Sequence, residues 1–173
     1  MTGTAAAPRG SSRARRQALL TLHIALSVGW LGASMVMLTL AVAALAGRSG
    51  GHARSAYWAM HLLADVLLVP LSLCVLLIGV LVAVTGPWGL RHRWVLVKLV
   101  GTCAAVVLSL FALPAMTGIA YRDVTRHALA AEASAGTRLV IAGSVSVALY
   151  LSLTAISVRK PWGRTARGRW TVP

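Results

Sequence analysis

Long apolar runs, separated by short basic or turn-forming stretches, organise this chain. No residue from Gln17 to Gly47 carries a formal charge, and none does from Leu139 to Val158. Between Ser55 and Leu90 the single charge is Asp65, and between Trp94 and Tyr121 it is Lys98. A helix needs roughly 20 predominantly apolar residues to cross a bilayer. The pattern therefore predicts four transmembrane helices, with cores over residues 19–46, 57–84, 94–119 and 139–158. Backbone groups in hydrocarbon must find partners within their own segment, so each span is helical. The alternating segments of about ten residues that build a membrane barrel do not occur.

The first two connections are short, which makes consecutive helices antiparallel neighbours. The expected fold class is all-α: a four-helix transmembrane bundle running up-down-up-down over residues 17–158, flanked by basic tails at 1–16 and 159–173. Thr85-Gly86-Pro87-Trp88-Gly89 reads as a turn with an interfacial tryptophan. Residues 123–134 read as a short surface helix.

Composition agrees with the pattern. The 173 residues are 58% hydrophobic and only 12% charged, with a mean hydropathy of +0.78, far from a soluble domain with about 25% charged residues. The net charge of +14 would fit nucleic acid if it formed a stripe on a soluble element. Here the basic residues flank apolar runs, as membrane proteins place them, and nucleic acid is not an expected partner. Twelve Lys and Arg fall on the side of the two tails and the second loop, against five on the other side, where Asp123 and Glu132 also lie. The positive-inside rule then puts both termini in the cytoplasm. Fifteen of the seventeen basic residues are Arg, a bias that points to a GC-rich bacterium, and the expected location is its inner membrane, crossed several times. Arg15-Arg16 before an apolar run ending Ala44-Leu45-Ala46 imitates a signal peptide, but signal h-regions run about 7–15 residues and this uncharged run is much longer. The first span is read as an uncleaved anchor.

Polar residues recur at helical spacing inside the spans. His23, Ser27, Trp30 and Ser34 share one side of the first, beside a small-residue strip of Ala25, Gly29 and Ala33. His61, Asp65, Ser72 and Gly79 share a side of the second; Lys98, Thr102 and Ser109 of the third; Tyr150, Thr154 and Ser157 of the fourth. Small and polar residues mark helix contacts in lipid, so His23, Ser27, Ser34, Ser72, Lys98, Thr102, Ser109 and Tyr150 are candidates to line the bundle interior. Pro70 and Pro114 interrupt the second and third helices and free carbonyls there. Cys74 and Cys103 match no metal spacing and read as small buried hydrophobes.

Asp65 is the principal lead. A carboxylate near mid-membrane costs about 2.5–3.5 kcal/mol on insertion scales. Asp65 is therefore expected to face inward and pair with His61, one turn away, as a polar clamp or a proton site. Five histidines also raise the possibility of haem b or copper. One iron needs two imidazoles at similar depth, whereas His23 and His61 are expected about 18 Å apart in depth; no cofactor is assigned. Hydrolase and nucleotide motifs are absent and the three acids are dispersed, so the chain is read as a non-enzyme.

Leu22-His23, Gly29-Trp30-Leu31-Gly32, Trp88-Gly89-Leu90 and Trp94-Val95-Leu96-Val97-Lys98 resemble a group of small four-helix bacterial integral membrane proteins of unknown function. That resemblance implies the fold and no activity. The His-to-Trp pattern of the first span is more weakly similar to copper-resistance and cytochrome b561-like membrane families, whose depth-matched intramembrane histidine pairs this chain lacks. The expected function is that of a non-catalytic accessory subunit or proton-coupled carrier component centred on Asp65, acting as a homo-oligomer or with another membrane protein. A haem- or copper-binding redox protein is the alternative.

The topology is directly testable. Reporter fusions after Gly50 or Ala131 should report the external side, and fusions after Gly89 or Pro173 the cytoplasm. An external C-terminus would reverse the orientation, and a mature N-terminus at Gly47 would make the first span a signal peptide.

Overall fold

The computed structural model describes residues 9–47, 50–85, 92–126 and 129–159, without the side chains of residues 9–12, 50 and 129–133. The Trp88 turn, the C-terminal basic tail and His127 lie outside the described residues. Four long helices account for nearly everything described. Helix α1 is Arg9–Ala46. Helix α2 runs through Gly50–Leu63, a π-helical turn over Ala64–Leu68, and Val69–Thr85. Helix α3 runs through Arg93–Val107, a second π turn over Leu108–Ala112, and Leu113–Thr125. Helix α4 is Leu129–Arg159. All four are long and apolar enough to cross a membrane.

Two boundaries differ from the expectation. The basic segment before residue 17 continues α1 down to Arg9 rather than forming a separate tail. The surface helix expected over 123–134 is absent from the described residues; α3 instead continues to Thr125 and α4 begins at Leu129. These helices run longer than the roughly 20 residues a bilayer crossing needs, because i→i−4 bonding continues wherever the sequence remains helix-compatible.

Each helix packs on its neighbours in sequence, and α4 closes the ring against α1. The pairing is antiparallel. Across α1 and α4, Leu45 meets Gly136, Leu38 meets Gly143, and the Trp30 ring lies 4.5 Å from that of Tyr150. Exposed Ile24, Val28, Val66, Leu77, Val100, Phe111, Ile141 and Leu151 cover the outside, an apolar surface suited to lipid and far larger than a soluble monomer presents. Trp30, Met37, Ala41 and Ala44 of α1 belong to the buried core, so this helix is an integral member of the bundle.

The two π turns have one cause. Proline lacks an N–H and its ring clashes with the carbonyl four residues back. In α2 the N–H of Val69, just before Pro70, donates to Ala64 O, five residues back. In α3 the N–H of Leu113, just before Pro114, donates to Leu108 O in the same way. Hydroxyls beyond each proline bond back to the same region: Ser72 Oγ to Val69 O at 2.8 Å, and Thr117 Oγ1 to Leu113 O at 3.0 Å. The wider turn changes the helical phase. Buried residues of α2 recur every fourth position through Met60, Ala64, Leu68 and Ser72, a spacing that would drift around a regular α-helix.

Close helix approach is set by particular glycines. A Cβ on Gly136 would stand 2.6 Å from the Tyr57 hydroxyl, and one on Gly143 would stand 3.2 Å from Leu38 Cδ1 and 3.5 Å from its Cα. Gly29, in the small-residue strip expected to mediate packing, is exposed, and a Cβ there would make ordinary contact with Leu71 at 3.8 Å. Tyr57 is almost fully buried and has little room to retreat. Gly136→Ala should therefore lower bundle stability by about 1–3 kcal/mol through overpacking. Gly29→Ala should be neutral or gain up to about 1 kcal/mol from helix propensity. Unfolding of the two variants in mixed micelles compares them; equal losses would mean that α1 and α4 are not packed as described.

Candidate functional site

Polar side chains collect at three depths. Near the end of the bundle away from the termini, His61 of α2 bridges two partners. Its Nδ1 lies 3.3 Å from Thr117 Oγ1 of α3, and its Nε2 lies 3.8 Å from Asp65 Oδ2. Thr117 is fully buried, and its hydroxyl has backbone carbonyls at 3.0 Å (Leu113) and 3.2 Å (Pro114). A hydroxyl has one proton and two lone pairs. With that proton directed to the backbone, the Thr117 oxygen accepts from His61 Nδ1–H.

Asp65 itself is a correction. It was expected to face inward, yet its side chain is 50% exposed, and that of His61 39%. Asp65 follows buried Ala64 directly, at the first positions of the π turn. A constant 100° per residue would keep Asp65 on the face of Ser72 and Gly79. The widened turn takes the buried face through Ala64 and Leu68 instead, which leaves Asp65 turned toward the outside. Thr39, Ser146 and Arg138 bond within their own helices, to Met35 O, Ala142 O and Ser134 respectively. Thr117 was missed; the signal for it was a hydroxyl one turn beyond Pro114.

At mid-depth a second group of polar side chains gathers. Trp30, Ser34, Ser72, Ser109 and Tyr150 are all buried. The Tyr150 hydroxyl reaches the side chains of Ser109 and Ser34, while Ser34 donates to Trp30 O at 2.8 Å. A cavity of about 180 Å³ opens beside them, lined by Met37, Met60, Leu68, Met116 and Ser146 among others. Trp30 Nε1 is buried without a hydrogen-bond partner.

Toward the terminal end lies a second cavity of about 240 Å³, with Arg16, His23, Lys98, Thr102, Trp94 and Ser157 among its walls. The His23 ring packs on Gly79, where a Cβ would stand 3.0 Å from Cε1, and its Nδ1 is buried without a hydrogen bond. Lys98 Nζ donates to Ser157 Oγ at 2.9 Å. Ser27 spends its hydroxyl on His23 O at 2.7 Å. Cys74 and Cys103 are exposed on the outside of the bundle, where a small hydrophobe in lipid needs no core.

His23 stands level with Gly79, and eighteen residues of α2 separate Gly79 from His61, about 27 Å at 1.5 Å per residue. His23 and His61 therefore lie toward opposite ends of the bundle, too far apart for a single iron or copper to take both. No family model, curated protein or solved structure matches the chain.

The mid-depth cluster yields a graded test. Tyr150→Phe keeps the ring against Trp30 and removes one hydroxyl, which should cost about 0.5–1.5 kcal/mol. Tyr150→Ala also removes the ring and should cost about 3–5 kcal/mol. Denaturant titration in micelles measures both; equal losses would show that the hydroxyl contacts, rather than the ring packing, hold this layer.

Proposed function

We propose that this protein is a non-catalytic, multi-pass subunit of a bacterial cytoplasmic membrane that docks onto another transmembrane helix through the α2 face bearing Asp65. The observation that carries this reading is the exposure of the Asp65 carboxylate among exposed apolar side chains of α2. Its exposed neighbours along α2 are Trp58, Leu62, Val66 and Leu67. Leu68, which lines the mid-depth cavity, is three residues away, so Asp65 lies only about 5 Å from that depth. A carboxylate there costs about 2.5–3.5 kcal/mol on insertion scales. His61 meets part of that cost through one edge, and a donor on an adjacent helix would meet the rest. Interhelical hydrogen bonds in membranes contribute about 0.6–2 kcal/mol each, enough to give such a contact its register.

A subunit role is favoured over a self-contained carrier because buried Trp30 and Tyr150 stack across the bundle at mid-depth. Orientation follows the charge bias, with the terminal end in the cytoplasm. The dispersal of Asp65, Asp123 and Glu132 along the chain supports a role without acid–base catalysis.

Photo-crosslinking in native membranes tests the docking face. A photoreactive residue at Val66, beside Asp65, should give a discrete crosslinked protein, either a second copy or another membrane protein. The same residue at Leu151 on the exposed side of α4 should give lipid adducts only. Asp65→Leu should abolish the Val66 product. Lipid adducts alone at both positions, or a Val66 product indifferent to Asp65→Leu, would overturn the proposal.

A further inference from the structure

We infer that the terminal-end cavity binds an anionic phospholipid of the leaflet on that side, with the phosphate held between Arg16 and Lys98 and hydrocarbon lying on the apolar wall. This inference does not rest on the docking role of Asp65. Three cationic or cation-capable side chains from two helices, Arg16 and His23 of α1 and Lys98 of α3, line one cavity of about 240 Å³. The three acidic side chains of the chain are Asp65, Asp123 and Glu132. Asp123 lies near the far end of α3 and Glu132 near the start of α4, both away from the termini. Asp65 is fourteen residues from Gly79 along α2, about 21 Å from the level of His23. By their positions along the helices, none of these three residues lies at the level of this group. Like charges gathered in a partly desolvated space repel, so the arrangement is complete only with an anion supplied from outside the chain.

The rest of the cavity specifies what carries that anion. Ile24, Val75, Val82 and Leu99 make the remaining wall largely aliphatic, and Ile24 is also exposed on the outside of the bundle, so the cavity communicates with lipid. Trp94 stands at its edge, one turn before Lys98, where tryptophans mark the headgroup level. Lys98 directs one N–H to Ser157, and an ammonium has three donors, which leaves donors for phosphate oxygens. Basic pockets between helices at this depth suit phosphate headgroups. A free inorganic phosphate shares the head chemistry but has nothing to place against the aliphatic wall.

The full-length protein in a neutral detergent, titrated with dioleoyl phosphatidylglycerol, dioleoyl phosphatidylcholine or inorganic phosphate, tests this by native mass spectrometry and thermal melting. Phosphatidylglycerol should bind in preference to phosphatidylcholine. Arg16→Gln and Lys98→Gln should each weaken phosphatidylglycerol binding about fivefold and together on the order of 25-fold. Lys98→Arg should retain the preference, and Arg122→Gln at the far end should leave it unchanged. Arg16 is exposed at the end of α1, so its variant keeps the test valid should Lys98→Gln unfold. Equal binding of the two lipids, or an undiminished preference in the Arg16 variant, would overturn the inference. Inorganic phosphate binding as tightly as phosphatidylglycerol would overturn its lipid part and reassign the site to a free anion.

Discussion

A proline inside a transmembrane helix withdraws a backbone donor in a solvent that has none to replace it. Much of this bundle follows from how α2 and α3 meet that constraint. Each bonds the residue before its proline to a carbonyl five positions back, Val69 to Ala64 and Leu113 to Leu108. Each then places a hydroxyl beyond the proline, Ser72 or Thr117, to satisfy a carbonyl of the same turn. Because His61 meets Thr117 and Gly118 across the antiparallel pair, stepping along both helices brings the two widened turns side by side. Leu68, Leu108, Ser109 and Ala112, all from these turns, line the mid-depth cavity. Paired π turns thus leave room at the centre of the bundle and shift the phase of everything above them, Asp65 included.

Few polar groups cross between helices. Ser27, Ser34, Ser146 and Thr154 each return their hydroxyl to a carbonyl four residues back on their own helix, a local bond that compensates backbone without joining neighbours. Links that do cross include Tyr150 to Ser34 and Ser109, His61 to Thr117, and Lys98 to Ser157. Between those layers the helices are held by contact, closest where Gly79, Gly101, Gly136 and Gly143 admit a partner's side chain. In lipid, where apolar burial gives no drive for association, such close packing is the larger share of cohesion.

This division explains what the sequence made legible. Charge-free runs fixed the number and position of the spans, because the bilayer demands both length and apolarity. The inward stripe of α1 was readable from His23 to Ser34 because α1 is regular, with Trp30, Ser34, Met37, Ala41 and Ala44 buried at alternating steps of four and three. The same reading failed in α2, where constant helical phase was assumed across Pro70. A proline in the sequence signals a kink or freed carbonyls, but the choice between a kink and a widened turn depends on how α3 packs against it. Gly29 was overvalued for a related reason: spacing shows that small residues share a face, and only packing shows which face meets a helix. The terminal-end cavity was visible as separate parts, His23 in one stripe and Lys98 and Thr102 in another, with nothing in the spacing to bring the stripes together.

The charges left inside the membrane sort by depth, and this sorting makes the two ends of the bundle chemically different. Asp65 occupies the half away from the termini, and its carboxylate looks outward with one imidazole edge for company. Lys98 and His23 occupy the terminal half, look inward, and share a cavity with Arg16. An intramembrane anion and cation of one chain could in principle have neutralised each other. About 20 Å of α2 separates their levels, and the stacked rings of Trp30 and Tyr150 lie between, so neither serves the other. The proposed donor on a helix beside α2 and the proposed anion of the leaflet would therefore act at separate ends of the bundle, each on its own charge.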